Sequence, residues 1–192
     1  ANIGHIEMTK QELLNAVAEY NPVQTLALAL AVYEQFGFVR SGEGYNVYDQ
    51  EGKFSHVVKD TKTQVMDMMR NGVVPHTTYV AEAEAIKDKF EAKFMMKKFG
   101  NGLTDFENSV AKAFAAGNSL TSFQVAIIAS IPNMNKIDEK RKTVENRIEE
   151  VRFTSEHFGE MRHRYDLEVE VLDCKYIQNS GVYMITAIHV NK

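Results

Sequence analysis

The C-terminal segment, residues 158–192, changes from helical to strand patterning, and this change constrains the fold more than any other feature. Apolar and polar residues alternate over residues 166–172, and a second apolar run covers residues 182–190. A polar break at residues 178–181, ending in glycine, separates the two runs. Alternation with a period of two predicts a strand, and a short break with glycine predicts a turn. The sequence therefore predicts a C-terminal β-hairpin.

The preceding chain is mostly helical in pattern. Asn21 and Pro22 suit the start of a helix, and Thr104 with Glu107 has the spacing of a capping box. Pro132 predicts the end of a helix, because its ring clashes with the preceding turn. We predict helices from the N-cap Thr9 to the break at Asn21, and over residues 22–36, 61–70, 80–99, 105–116, 119–131 and 136–153, the last as a charged helix or connecting arm.

Three short runs in the N-terminal half, residues 38–40, 45–48 and 53–59, predict a small antiparallel sheet. Separate helices and antiparallel strands are typical of the α+β class, here a mostly helical body (residues 1–153) and a C-terminal β element (residues 154–192). A two-stranded element is marginally stable alone. It therefore joins the earlier strands, is completed by strands of a partner, or starts a partial OB-type barrel.

Composition narrows the classes of function. The net charge of the 192 residues is −4, which argues against coating nucleic acid by bulk charge but leaves room for a local basic groove. The single cysteine, Cys174, lies in a predicted strand, where we expect a buried thiol in a reducing cytosol. No apolar run approaches the ~18–20 residues of a membrane span, and no leader pattern opens the chain. We expect a cytoplasmic protein without a membrane segment.

Basic and aromatic residues cluster around the predicted hairpin. Arginine can bind phosphate with a fork of donors, and tyrosine offers a ring on which a base can stack. We therefore predict a site for single-stranded nucleic acid there, with a solvated strand end as the alternative. Its residues are Arg162, Arg164, Tyr165, Lys175, Tyr176 and Tyr183.

A lysine row on the predicted helix 80–99 is a second candidate for phosphate contact. Lys89, Lys93 and Lys97 are spaced by four and share one face. The alternative is the solvated side of an amphipathic helix, whose lysine stems cover apolar surface. We include Lys93 and Lys97 among the predicted nucleic-acid-binding residues.

Three carboxylates, Asp166, Glu168 and Glu170, fall at alternate positions and so share one face of the predicted strand. A metal could bind there, but the simpler interpretation is the solvent side of a strand whose apolar side faces inward. The histidines show no ligand spacing, and no nucleophile motif is present. We predict no catalytic residue, no metal and no cofactor.

Self-association is a further possibility that the sequence offers. Residues 25–33 form a helix that is apolar on most sides, which predicts a buried centre or an interface. Methionines suit irregular cores and adaptable interfaces, and we expect most of them in the core. The clustered ones are Met66, Met68, Met69, Met95 and Met96.

Two phrases carry a resemblance to a known group of proteins. The first is Leu103-Thr104-Asp105-Phe106-Glu107, and the second reads Phe158-Gly159, then Arg164 and residues 168–172. Together they resemble uncharacterised bacteriophage DNA-metabolism proteins, whose second phrase is similar to the opening strands of an OB-type barrel. This chain departs from them by having Met161-Arg162-His163 where a second glycine is usual.

Three hypotheses of function follow from these observations. The first is a non-enzymatic bacteriophage protein of the host cytoplasm that binds single-stranded nucleic acid or assists replication or recombination. The second is a structural or assembly protein, a homo-oligomer or the partner of another phage protein. The third is a metal-dependent nuclease that uses Asp166, Glu168 or Glu170.

Overall fold

The structure is a computed structural model, and it describes residues 20–98, 100, 102–118, 120–153, 160 and 162–189. The predicted helix capped by Thr9 lies outside the described residues. The described chain forms five helices and two separate two-stranded antiparallel sheets, an α+β fold as the sequence predicts. The elements are α1 (Pro22–Phe36), β1 (Tyr45–Tyr48), β2 (Phe54–Val58), α2 (Thr61–Arg70), α3 (Thr77–Lys98), α4 (Asp105–Phe114), α5 (Ser122–Arg152), β3 (Val169–Ile177) and β4 (Val182–His189).

The chain divides into two compact units, Ala1–Asn135 and Lys136–Lys192. The boundary that the sequence predicts between residues 153 and 154 marks the end of the helical pattern, and residues 154–159 lie outside the described chain. That boundary stays a prediction.

Helix α1 is the centre of the first unit. The Asn21 side chain accepts a hydrogen bond from the Gln24 N–H at 2.8 Å, and the Gln24 side chain accepts one from the Asn21 N–H at 3.1 Å. This reciprocal cap starts the helix where the sequence predicts. Leu26 and Leu28 are fully buried, and α1 packs against α2, α3 and α4. The buried-centre prediction is confirmed, so this apolar helix is not available as an interface.

The methionine clusters divide between core and surface. Met66 and Met69 are buried in the first unit, and Met68 packs against its core. Met95 and Met96, by contrast, project from α3 and are well exposed. The clustering in sequence therefore does not mark one continuous surface.

The predicted strand at residues 38–40 is wrong. The Val39 N–H donates to the Thr61 hydroxyl at 2.9 Å, and the Thr61 N–H donates back to the Val39 carbonyl at 2.9 Å. These two bonds tie Val39 to the start of α2 and occupy the backbone groups that a strand ladder would need. The remaining two strands pair with each other as β1 and β2.

Helix α5 runs through Pro132, so the predicted end at this residue is wrong, and the two predicted helices are one. A proline inside a helix costs about 3 kcal/mol through the lost hydrogen bond and the ring clash. Here the surrounding turns are held by packing, because Ile128, Ile131 and Pro132 are all buried. The cost of the proline is outweighed by burial on both sides of it.

The C-terminal hairpin is a two-stranded ribbon, β3 paired with β4, joined by a turn at residues 178–181. Strand β3 begins at Val169 rather than at residue 166, and it extends beyond the predicted end to Ile177. Among the described residues the two strands bond only to each other, so this part of the chain contains neither a closed barrel nor a pairing with β1 and β2. No described helix combines the length and the apolar character needed to span a lipid bilayer.

Candidate functional site

The C-terminal ribbon has two chemically different faces. Strand β4 pairs without interruption, so its alternate residues lie on opposite faces, while β3 carries one bulge at Leu172. One face, called the open face below, consists of four cross-strand pairs that hold no Lys, Arg, Asp or Glu. These pairs are Tyr176–Tyr183, Cys174–Ile185, Val171–Ala187 and Val169–His189.

The opposite face of the ribbon, called the helix-side face, is joined to α5 by two ion pairs within the second unit. Arg147 Nη2 lies 2.7 Å from Glu170 Oε2, and Lys140 Nζ lies 2.5 Å from Asp173 Oδ1. The hydrogen bond from Arg147 lowers the pKa of Glu170, and the hydrogen bond from Lys140 lowers the pKa of Asp173. Lys140 and Arg147 are seven residues apart, two helical turns, and so lie on one side of α5.

The prediction that the apolar side of β3 faces inward is wrong, because Val169 and Val171 are exposed. The carboxylates of Asp166, Glu168 and Glu170 are exposed as predicted, and Glu170 also pairs with Arg147 of α5. The cations of α5 pair with Glu170 and Asp173 on the other face of the ribbon, and no described residue packs over the two valines closely enough to bury them. Alternation tells which residues share a face, and it does not tell which face is covered.

The open face leaves large apolar side chains in contact with solvent. The exposed fractions are 68% for Tyr183, 59% for Ile185, 55% for Val171, 50% for Tyr176 and 43% for Val169. Strand β4 is apolar on both faces, a pattern that is typical of strands covered on both sides. This was the signal in the sequence that could have revealed the open face, and sequence reasoning missed it.

Two tyrosines form the end of the open face next to the turn. The ring centroids of Tyr176 and Tyr183 are 5.0 Å apart with an interplanar angle of 50°. Aromatic pairs at this spacing attract each other beyond simple burial. Gly181, at φ 66°, adopts the left-handed conformation that the turn requires, and its N–H donates to the Ile177 carbonyl at 2.9 Å. The turn thereby holds the two rings side by side.

Cys174 lies in the middle of the open face, opposite Ile185. The prediction of a buried thiol is wrong, because Cys174 is exposed. A strand inside a sheet layer buries one face, but this ribbon has no second layer over its open face within the described chain. Being in a strand was therefore not sufficient for burial.

Three of the residues predicted to bind nucleic acid, Arg162, Arg164 and Tyr165, lie before β3. Arg162 and Arg164 are exposed, and Arg162 has a φ of 69° in a turn closed by the hydrogen bond from His163 N–H to the Glu160 carbonyl, 3.3 Å. The Tyr165 hydroxyl accepts a hydrogen bond from the Glu160 N–H at 3.0 Å. Tyr165 thus takes part in a local turn, with the His163 ring 6.3 Å from its own.

The structure does not bring the six residues of this predicted nucleic-acid site together on one surface. Lys175 lies on the helix-side face of the ribbon, whereas Tyr176 lies on the open face. The charge of Lys175 contributes to the lowered pKa of Asp173. The segment with the two arginines enters the ribbon at Val169, whereas the tyrosine pair is at the far end, about 20–25 Å along β3. No described hydrogen bond or ion pair joins Arg162 or Arg164 to Tyr176 or Tyr183. Their role toward nucleic acid stays a prediction.

The two predicted lysines on α3 bind a carboxylate of the same unit. Lys97 Nζ lies 2.6 Å from Glu107 Oε1, and Lys93 Nζ lies 3.3 Å from the same atom. Glu107 is nearly buried, and it also accepts a hydrogen bond from the Thr104 N–H at 3.0 Å. The Lys97 hydrogen bond, followed by the one from Thr104, lowers the pKa of Glu107 to about 2. These lysines join α3 to α4, and binding of phosphate by them stays a prediction.

A recess of about 390 Å³ lies in the first unit between α1, β2 and α2. Three of its polar residues are bonded within the protein: Lys59 Nζ lies 2.6 Å from Asp67 Oδ2, and the Gln64 side chain donates to the Lys59 carbonyl at 2.7 Å. In the part of the chain that the structure describes, no three His, Cys, Asp or Glu side chains are grouped as metal ligands. The recess is lined by Ala31, Val32, Gln35, Phe36, Val57, Lys59, Gln64, Asp67 and Met68.

No protein-family model, curated protein or solved structure matches this chain. The similarity to bacteriophage DNA-metabolism proteins therefore stays a prediction from the two phrases at residues 103–107 and from 158 onward. The surface that the geometry distinguishes most clearly is the open face.

Proposed function

We propose that this chain is a non-enzymatic interaction protein that functions in an oligomeric assembly, with the open face as its contact surface for another protein chain. The observation that carries the proposal is the uncovered apolar face formed by Val169, Val171, Tyr176, Tyr183 and Ile185. Contact with another chain would remove this face from water at a gain of about 25 cal/mol per Å² of apolar surface.

The composition of the open face supports a protein partner. Cores of protein interfaces are depleted in charged residues and enriched in tyrosine, and the strongest contributions often come from buried aromatic side chains. The open face has two tyrosines at one end and no Lys, Arg, Asp or Glu among its eight residues. Its charged neighbours, Glu170 and Asp173, are paired on the opposite face.

The low stability expected of an isolated two-stranded ribbon also favours a partner chain packed on the open face. A two-stranded ribbon is marginally stable alone in water. The ion pairs that join it to α5 are solvent-exposed, and exposed ion pairs contribute little to stability. Burial of the open face against another chain would supply the apolar contact that the described part of the second unit lacks.

We place this function in the cytoplasm as part of the same proposal. Cys174 is exposed in the middle of the contact surface. In a reducing compartment it would remain a thiol and would pack as a small apolar side chain. A bacteriophage origin is supported only by the resemblance of the two sequence phrases. With that origin, a second phage protein is a further candidate member of the assembly.

Gel filtration with multi-angle light scattering, over a wide range of protein concentrations, tests the proposal. The expected result is a defined oligomer that dissociates on dilution. A monomer at every concentration, with no change of mass when proteins encoded beside it are added, would contradict the assembly function.

Single-stranded nucleic acid is the second candidate ligand, and the exposed tyrosine pair is the observation that favours it. Base stacking on an aromatic ring contributes about 1–3 kcal/mol per base. The arginines predicted to bind phosphate lie before β3, at the other end of the ribbon from Tyr176 and Tyr183. A titration of labelled single- and double-stranded oligonucleotides at low salt and at ~0.15 M salt separates the two candidates. Tight, salt-sensitive binding to single strands by a monomer would favour this second function.

A further inference from the structure

We propose that the occupant of the open face is the open face of a second copy of this chain, so that two ribbons stack face to face about a two-fold axis near Cys174. This inference rests on the proposed function, and it names both the partner and the geometry of the contact. Three properties of the open face support it: its lack of charged residues, its exposed area and the order of its residue pairs along the ribbon.

The absence of Lys, Arg, Asp and Glu from the open face allows the open faces of two copies to pack together. A two-fold contact brings the same patch of both copies together, so a patch with a net charge would be repelled by its own copy. The four cross-strand pairs of the open face contain no Lys, Arg, Asp or Glu. The acidic residues of β3, Glu170 and Asp173, lie on the opposite face and are bonded to α5.

The area of the open face fits a small symmetric interface. Its five large side chains are 43–68% exposed, and together they leave roughly 500 Å² in contact with solvent, given ~150–250 Å² for an aromatic side chain. Two copies would then cover about 1,000 Å² in total, the lower limit for a specific interface. The contact should therefore be reversible, with dissociation at low concentration.

The arrangement of the pairs puts Cys174 near the centre of the contact. The tyrosine pair lies on one side of the Cys174–Ile185 pair along the ribbon, and the valine pairs lie on the other side. A two-fold axis through the middle of the face thus brings the two Cys174 residues toward each other. Stacked sheets are about 10 Å apart, too far for an unstrained disulfide, which needs Cα atoms about 4.4–6.8 Å apart. A short bismaleimide can bridge the two thiols.

The single cysteine makes the test direct, since every cross-link through cysteine must join two chains. The full chain is treated with a short bismaleimide at a concentration where light scattering reports a dimer, and again after dilution. The matched control is the double variant Cys174→Ser/Lys175→Cys, which moves the thiol by one residue to the helix-side face. We expect a cross-linked dimer for the natural chain that disappears on dilution, and little cross-linking for the control.

A second pair of variants tests the face without a cross-linker. Ile185→Asp puts a charge in the open face, and Met184→Asp, also exposed, puts the same charge on the helix-side face of the same strand. We expect Ile185→Asp to weaken dimerisation by at least about tenfold in Kd, equal to 1.4 kcal/mol, and Met184→Asp to leave it unchanged. Circular dichroism confirms that both variants fold.

The outcomes separate this inference from the proposed function. Equal cross-linking through residues 174 and 175, or an oligomer that Ile185→Asp does not weaken, would overturn face-to-face stacking while the assembly function stands. A chain that is monomeric at every concentration, alone and with neighbouring gene products, would overturn both.

Discussion

Arg147 of α5 donates to both carboxylate oxygens of Glu170, from Nε to Oε1 at 3.4 Å and from Nη2 to Oε2 at 2.7 Å. This pair lies on the face of β3 that carries Glu170 and Asp173, opposite the face that carries the valines and tyrosines. The same bond raises the pKa of the Arg147 guanidinium and lowers the pKa of the Glu170 carboxyl.

Reversing the charge at one partner should loosen the contact between the ribbon and α5. In Arg147→Glu, the new carboxylate faces Glu170, and we expect faster hydrogen exchange of the β3 amides. The double variant Arg147→Glu/Glu170→Arg should restore most of the protection because it rebuilds the pair. Arg141→Glu is the matched control, since the described ion pairs of Arg141 are to Asp138 and Glu145 on its own helix. Equal exchange rates in all four proteins would show that the pair does not hold the ribbon.

Glu107 should make stability depend on pH in the acidic range. Its pKa is about 2 in the folded chain, against an ordinary value near 4.5. A lowered pKa means that the stabilisation is complete above the ordinary value and is lost as pH falls from about 4.5 toward 2. We expect Glu107→Gln, which keeps the helix cap, to lower the free energy of unfolding at pH 7 by about 1–3 kcal/mol, because Lys93 and Lys97 lose their partner.

Urea denaturation followed by circular dichroism at pH 7, 4 and 2.5 measures this difference. The gap between the natural chain and Glu107→Gln should narrow as the pH falls. Asp105→Asn, which removes an exposed carboxylate from the same helical turn, serves as the control. A gap that stays constant with pH would mean that the charge of Glu107 contributes nothing.

Arg162 is a predicted nucleic-acid-binding residue and also has an unfavourable backbone conformation. One substitution, Arg162→Gly, therefore tests both properties. Its φ of 69° is in the left-handed region, where a residue with a Cβ costs about 1–2 kcal/mol more than glycine. Arg162→Gly should therefore keep the turn, raise stability slightly and remove the guanidinium. On the proposed function, affinity for single-stranded oligonucleotides at ~0.15 M salt should not change. A large loss of affinity in Arg162→Gly would instead favour nucleic-acid binding through Arg162 and the segment before β3.

Local sequence signals predicted the helical body well. The caps at Asn21 and Thr104 are formed by residues within three positions of each other, so their consequences can be deduced from the sequence alone. Val39 and Pro132 show the limit of this approach. Val39 bonds to Thr61, twenty-two residues away, and the turns around Pro132 are held by buried neighbours. In both cases a distant contact decided the outcome.

The candidate site was predicted less well, for a related reason. The sequence identified the ribbon, its turn and the tyrosines, but it gave no information on which face of the ribbon pairs with α5. That depends on Lys140 and Arg147, which are more than twenty residues from the acids they bind. Whether the arginines and tyrosines converge also depends on long-range geometry: the arginines lie before β3, and the tyrosine pair lies near its far end.

Isotope-filtered nuclear Overhauser spectroscopy on mixed chains tests the central claim most directly. Protein with isotope-labelled Val and Ile methyl groups is mixed with an equal amount of unlabelled protein. We predict contacts between the methyl groups of Val171 and Ile185 in one copy and open-face protons, including those of the Tyr176 and Tyr183 rings, in the other. An oligomer whose cross-chain contacts involve no residue of the open face, or a monomer at the concentrations of the experiment, would contradict it.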